Sequence, residues 1–186
     1  METSTTIIKN AASSIARQFG MSYEPFVVRL SQALHDQLVR HADESLPFEC
    51  CGLLLGRRDG CVIDIDSIVP AANVSAGDRR VSFEVDPQTL LDTIGNERTF
   101  CDSLHLPCGF GQREYTPQLV GIYHSHPNGR AGLSATDLES AWTDMVQLVI
   151  VASQDRHRIL SAWFIPTAPS LNIPRHCRIE INDNDE

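Results

Sequence analysis

The chain has almost no lysine. Of its 15 basic residues only Lys9 is a lysine, and the other 14 are arginines, a skew that reads as compositional. Nor is there any surplus of positive charge, because 24 acidic residues leave a formal net charge of -9. That balance opposes non-specific attraction to phosphate backbones and to anionic lipid, so neither nucleic acid nor a membrane is expected as a partner. No apolar run approaches the roughly 18 residues of a membrane span. The first twenty residues, METSTTIIKNAASSIARQFG, lack the basic start, long apolar core and small-residue cleavage site of an export signal. A cytoplasmic location is therefore expected, and with it reduced thiols at Cys50, Cys51, Cys61, Cys101, Cys108 and Cys177. Internal repeats and low-complexity tracts are absent as well.

What is present is 186 residues, 42% hydrophobic and 21% charged, the size and balance of one globular domain. A chain of this length buries roughly 70% of the surface its unfolded form exposes, so its core needs no metal or disulfide. Any metal site invites a functional reading. Residues 1-22 carry Ile7, Ile8, Ala11, Ala12, Ile15 and Phe19 at helical spacing and read as an N-terminal extension with a short helix. The domain proper is expected over 23-186.

Within it, PFVVRLS reads as a strand and SQALHDQLVRHADES as a helix with Leu34, Leu38 and Ala42 on one face. ECCGLLLG and CVIDIDSIV read as a hairpin around RRDG, and VSFEVDP reads as a further strand. Pro87 opens a helix through QTLLDTIGNE, since a first turn tolerates its missing N–H. The stretch 95-118 loses periodicity and reads as a long loop. LVGIYHSH, VQLVIVAS, RILSAWFI and HCRIEIN are strand-like, and SATDLESAWTDM is helical. The class expected is α/β in the broad sense, an α+β mixed sheet flanked by helices.

Chemistry gathers around His124 and His126. On a strand, residues two apart share a face about 6.6 Å from one another, so both imidazoles can reach one ion. Pro127-Asn128-Gly129 then reverses the chain and leads to Ser134-Ala135-Thr136-Asp137, which returns a carboxylate towards the strand end. S-x-x-D is also a capping box, and Asp137 can serve both ends. Two histidines and one aspartate form a tripod of the catalytic kind, because a structural zinc closes its shell with four protein ligands. Elsewhere Cys101, His105 and Cys108 could take a fourth ligand from His176 or Cys177 around a second zinc. The set lacks a doubled C-x-x-C, so plain loop residues are the preferred reading.

H-S-H-P, six residues, then S-A-T-D resembles the zinc signature of the JAMM, or MPN+, metalloproteases, also called the Mov34/JAB family. Pro47-Phe48-Glu49-Cys50-Cys51-Gly52-Leu53-Leu54-Leu55-Gly56 resembles the glutamate-bearing strand of its prokaryotic members. Asn73, and Phe83 with Asp86, fall where those members carry such residues. The resemblance spans roughly Phe26 to Phe164. It implies a cytidine-deaminase-like fold with one catalytic Zn2+ at a sheet edge, bound by His124, His126 and Asp137. It further implies Glu49 as general acid/base and Ser134 as oxyanion donor. Deaminase chemistry is disfavoured, because that family's H-x-E and P-C-x-x-C are missing. Thiol catalysis at Cys50 or Cys51 is disfavoured, because the histidines are better explained as metal ligands.

The resemblance also implies hydrolysis of the bond after the C-terminal Gly-Gly of a ubiquitin-like or sulfur-carrier protein, with 95-118 on the substrate side. The alternative is a non-catalytic or assembly-type relative, of the phage-tail or DNA-repair-associated kind. Retention of Glu49, His124, His126, Ser134 and Asp137 together argues for the enzyme.

Overall fold

The computed structural model describes residues 27–103, 117–152, 158–166 and 173–183, with the backbone alone for 96–103 and 152. In chain order the elements are β1 (Val27–Ser31), α1 (Gln32–Glu44), β2 (Cys51–Asp59), β3 (Val62–Ala71) and α2 (Pro87–Ser103). They continue with β4 (Gln118–His126), α3 (Ala135–Glu139), β5 (Met145–Ala152), β6 (Arg158–Ile165) and β7 (Arg175–Asn182). The architecture is α+β, a mixed sheet with few helices.

The sheet closes on itself in the order β1-β3-β2-β4-β5-β6-β7. Closure comes from β1, which pairs in parallel with β3 on one side and β7 on the other. Strand β4 sits between antiparallel β2 and parallel β5. The strand carrying the histidines is thus interior to the sheet, and among the described strands no lateral edge remains where the resemblance would put the zinc.

Local chemistry accounts for the elements. Ser31 caps α1 by accepting the Leu34 N–H at 3.2 Å, and Leu34, Leu38 and Ala42 then face the sheet. Burying a leucine side chain of that kind stabilises by roughly 1.5–3 kcal/mol. The β2–β3 hairpin forms as its alternation suggests, turning at Gly60 with φ +55°, a conformation glycine adopts without steric cost. Gly52 packs under Tyr123 across the β2–β4 pair, where an added Cβ would lie 2.5 Å from both the Tyr123 ring and the Val69 carbonyl oxygen.

Alternation divides the core in two. Tyr123 belongs with Val28, Leu34, Leu38 and Leu148 on the α1 side. Ile122 belongs with Cys51, Leu53, Leu90 and Trp142 on the opposite side, with Phe83 packed against it. His124 and His126 follow Ile122 in register and share this second face.

Three expectations change. VSFEVDP is not a strand: it makes a single bridge, Asn73 to Val85, because the Asn73 side chain bonds the Ser82 carbonyl and the Glu84 N–H. The helix from Ser134 stops at Glu139 rather than continuing through Trp142. Ser140 closes it by donating its N–H to Thr136 and Leu138 carbonyls, and Trp142 is buried with its carbonyl accepting from Gln147 Nε2. Helix α2 starts at Pro87 as expected but runs to Ser103, so the first part of 95-118 is helical. Residues 104–116, the extension 1-22, and His105 and Cys108 lie outside the described residues, as does the Cys101 side chain. Among the described residues no helix is long and apolar enough to cross a membrane.

Candidate metal centre

The C-terminal end of β4 and the N-terminus of α3 meet at one point. One ligand atom each from His124, His126 and Asp137 lies within 4.8 Å of the others, and all three residues are buried. His124 Nε2 and His126 Nε2 are 3.1 Å apart. Asp137 Oδ2 lies 3.5 Å from the first and 3.2 Å from the second. Asp137 arrives there because α3 begins with a complete capping box. Ser134 Oγ accepts the Asp137 N–H at 3.1 Å, and Asp137 Oδ2 accepts the Ser134 N–H at 2.5 Å. Cap and tripod therefore share one carboxylate oxygen.

The donor set fits a metal. In neutral imidazoles, two ring lone pairs and a carboxylate oxygen crowd one small volume, and a cation or a shared proton must offset their repulsion. His126 Nδ1 is 2.7 Å from the Arg130 carbonyl oxygen, a contact that puts the proton on Nδ1 and leaves Nε2 free to ligate. His124 Nδ1 is buried with no hydrogen-bond partner, and its ring stacks on Phe83 at 4.3 Å and 17°. Two imidazoles and a carboxylate suit zinc, and a three-residue set leaves room for a fourth ligand.

Electrostatics follow burial. Burial works against ionising Asp137, yet hydrogen bonds from His124, His126 and the Ser134 backbone outweigh it and hold the carboxyl far below the usual range. Burial lowers His124, whereas at His126 the Asp137 hydrogen bond and the Arg130 carbonyl overcome burial and raise it. Burial pushes Glu49 up to about 7, with His126 opposing and Asp137 adding to the rise.

Glu49 stands just before β2, 3% exposed, with Oε2 buried and unpartnered. Its neighbours Cys50 and Cys51 face Ser125 and His124 across the strand pair. Burial pushes the two thiols up to about 11 and about 12, so neither is a thiolate near neutral pH. Ser134 is half-buried and uses its oxygen as cap acceptor, which leaves the hydroxyl proton to donate. A cavity of about 170 Å³ opens beside the tripod, lined by Phe83, Leu90, Thr136 and Trp142 among others. The structure therefore brings His124, His126 and Asp137 together, with Ser134 in the same cap, and places Glu49 one residue before the Cys50–Cys51 pair that lies opposite Ser125 and His124. The sequence did not mark the Arg130 carbonyl, which is backbone, or the Ser125 hydroxyl, which reads as a spacer between histidines.

The class of protein is thus an α+β domain whose candidate metal site, His124, His126 and Asp137, lies where a central strand meets a capped helix. The chain belongs to the prokaryotic JAB-domain family: the family model described as prokaryotic homologues of the JAB domain matches residues 31–166. It is 32% identical over 142 residues to a desampylase of Haloferax volcanii, covering 73% of this chain and 88% of that protein. The solution structure of a protein from Desulfitobacterium hafniense superposes with a TM-score of 0.66 at 23% identity, over 84% of this chain and 94% of that one. A Salinibacter ruber protein superposes with a TM-score of 0.53 at 24% identity, over 84% and 93%. These two likenesses bear on the fold alone.

Proposed function

We propose that the protein is a zinc-dependent isopeptidase that hydrolyses the bond after the C-terminal Gly-Gly of a ubiquitin-like or sulfur-carrier protein. The observation that carries the reading is the convergence of His124, His126 and Asp137 beside a buried glutamate with an unpartnered oxygen. The name of the Haloferax relative supports the substrate class. The net charge of -9 supports a protein rather than a nucleic-acid or lipid substrate. A cytidine-deaminase-like description of the fold and a cytoplasmic location belong to the same reading.

His124, His126 and Asp137 would hold the zinc. Bound there, zinc supplies Lewis acidity, polarising a carbonyl and acidifying water from about 15.7 towards 7. Glu49, desolvated and held near neutrality, takes the proton from the attacking water at its carboxylate and returns it to the departing amine. The Ser134 hydroxyl donates to the oxygen that becomes negative in the tetrahedral transition state, where such a bond is strongest. Arg130 keeps the His126 ring in the ligating tautomer through its carbonyl. Absence of side chains in a diglycine lets an extended tail approach this recessed group of residues.

The test incubates zinc-loaded protein with diglycine-tailed carriers joined to a lysine peptide and reads cleavage by intact mass. Glu49→Gln is expected to keep its zinc and lose about a hundredfold or more in turnover, the scale of removing a general base. Near-normal turnover in that variant would overturn the role of Glu49. Full zinc content in His126→Ala would overturn the ligand set.

A further inference from the structure

The least explained feature near the site is how Glu49 is aimed. It lies in the segment between α1 and β2, where no strand ladder holds it, yet a proton carrier must be placed to a fraction of an ångström. Three bonds replace the ladder. The Glu49 N–H donates to the Arg79 carbonyl at 2.8 Å. The next N–H, of Cys50, donates to Ser125 Oγ at 2.9 Å. The Glu49 carbonyl accepts from Asn73 Nδ2 at 3.0 Å.

Asn73 stands out because all of its amide capacity is used. Nδ2 also donates to the Ser82 carbonyl at 3.1 Å, and Oδ1 accepts the N–H groups of Ser75 at 3.1 Å and Glu84 at 3.2 Å. The bonds to residues 82 and 84 bracket Phe83, whose ring stacks on His124. A single half-buried side chain thus ties the backbone of Glu49 to the aromatic ring that covers one face of a tripod histidine.

We propose that Asn73 is a positioning residue, setting the Glu49 carboxylate and the Phe83 ring in fixed relation to His124. The inference rests on the reading of Glu49 as proton carrier. It is a geometric role: the Asn73 side chain bonds only backbone groups, those of Glu49, Ser75, Ser82 and Glu84, and acts through Glu49. A donor and an acceptor are needed at once, which only an amide of this length supplies here. Asn73→Asp is isosteric and retains the acceptor that organises Ser75 and Glu84, but it cannot donate to the Glu49 and Ser82 carbonyls. Asn73→Ala removes both halves.

The experiment measures zinc content, melting temperature, kcat and KM on a diglycine-tailed carrier linked to a lysine peptide. It compares Asn73→Asp, Glu49→Gln and the double variant, below the lowest melting temperature. Asn73→Asp is expected to keep its zinc and its KM while kcat falls roughly ten- to a hundredfold, the cost of misplacing a reacting group by about 1 Å. In the double variant the second substitution should cost less than about twofold, because the group that Asn73 aims is already disabled. A spectroscopic readout independent of turnover is the Glu49 carbonyl ¹³C resonance of metal-free protein, which should move in Asn73→Asp while resonances of α1 stay in place. If Asn73→Asp is equally damaging with and without the Glu49 carboxylate, or leaves kcat and the Glu49 resonance unchanged, the proposal is overturned. If instead Glu49→Gln turns over like the wild type, it is the role of Glu49 that fails.

Discussion

Along β4, successive side chains alternate between two faces that treat buried polar groups in opposite ways. On the α1 face each has its partner: Tyr123 Oη meets His41 Nδ1 at 2.9 Å, and Ser125 Oγ accepts the Cys50 N–H at 2.9 Å. On the other face His124 and His126 turn their Nε2 atoms on each other and on Asp137, His124 Nδ1 has no partner, and neither does Oε2 of nearby Glu49. Burial of polar groups is tolerated when partners are built in, because an unmet donor or acceptor costs about 1–3 kcal/mol. One face is finished by the chain itself. The other leaves buried polar atoms that, on the function proposed above, a metal and a substrate would meet.

Removing the two imidazoles should break that contrast most severely. The His124→Ala, His126→Ala variant is expected to drop from about one zinc per chain to none and to lose turnover altogether. With zinc at a thousand times its dissociation constant, the wild type should gain about 4 kcal/mol of stability that the variant lacks. The metal-free variant should itself be less stable than metal-free wild type, because buried Asp137 loses the hydrogen bonds of both imidazoles and Phe83 loses its stacked ring, so the zinc contribution is read as the difference with and without chelator. Metal analysis and denaturant titrations with and without chelator check both statements. A wild type that gains no stability from zinc over the variant would mean that the histidines are structural rather than ligands.

The same contrast explains what could be read from the sequence. H-x-H on an apolar strand and S-x-x-D at a helix start are local patterns, so the tripod residues and the cap of α3 were legible from their spacing. The β2–β3 hairpin was legible too, because a turn and two alternating strands adjoin it. Barrel closure was not, since β1 finds β3 and β7 across long stretches of chain and nothing local records a parallel partner. VSFEVDP alternates like a strand, but a side-chain amide occupies its backbone groups instead of a neighbouring strand. The short length of α3 was hidden for a related reason: Ser140 and the burial of Trp142 end it, against a helical pattern that continues. Of the two side chains that bond the backbone of residues 49 and 50, Asn73 was marked and Ser125 was not, and nothing local records the bonds of Asn73 to Ser82 and Glu84.

Substitutions on the finished face should show the reverse signature, lost stability with zinc retained. Ser125→Ala leaves the buried Cys50 N–H unmet and is expected to cost about 1–3 kcal/mol. Tyr123→Phe removes one hydroxyl from a half-buried pair and should cost about 1 kcal/mol. Both are checked by denaturant midpoints beside zinc analysis. Zinc loss in Tyr123→Phe, with the fold intact, would show that the two faces are not separable.

The smallest effect concerns pH and sharpens the comparison from the side of α1. His41 is partly buried against Tyr123, and burial lowers its pKa below the ordinary 6.5, with Glu44 opposing. The unfolded chain then binds a proton at higher pH than the folded chain does. Stability contributed by neutral His41 is therefore fully present above about 6.5 and declines as pH falls through the lower, folded-state value. The site histidines would obscure this, so the measurement belongs in the His124→Ala, His126→Ala background. There, acidifying from about pH 7.5 to about pH 5 should lower the melting temperature, and His41→Gln, which can still bond the tyrosine hydroxyl, should shrink that drop. An equal drop in both proteins would assign the acid sensitivity to carboxylates elsewhere and leave the His41–Tyr123 pair without a share in it.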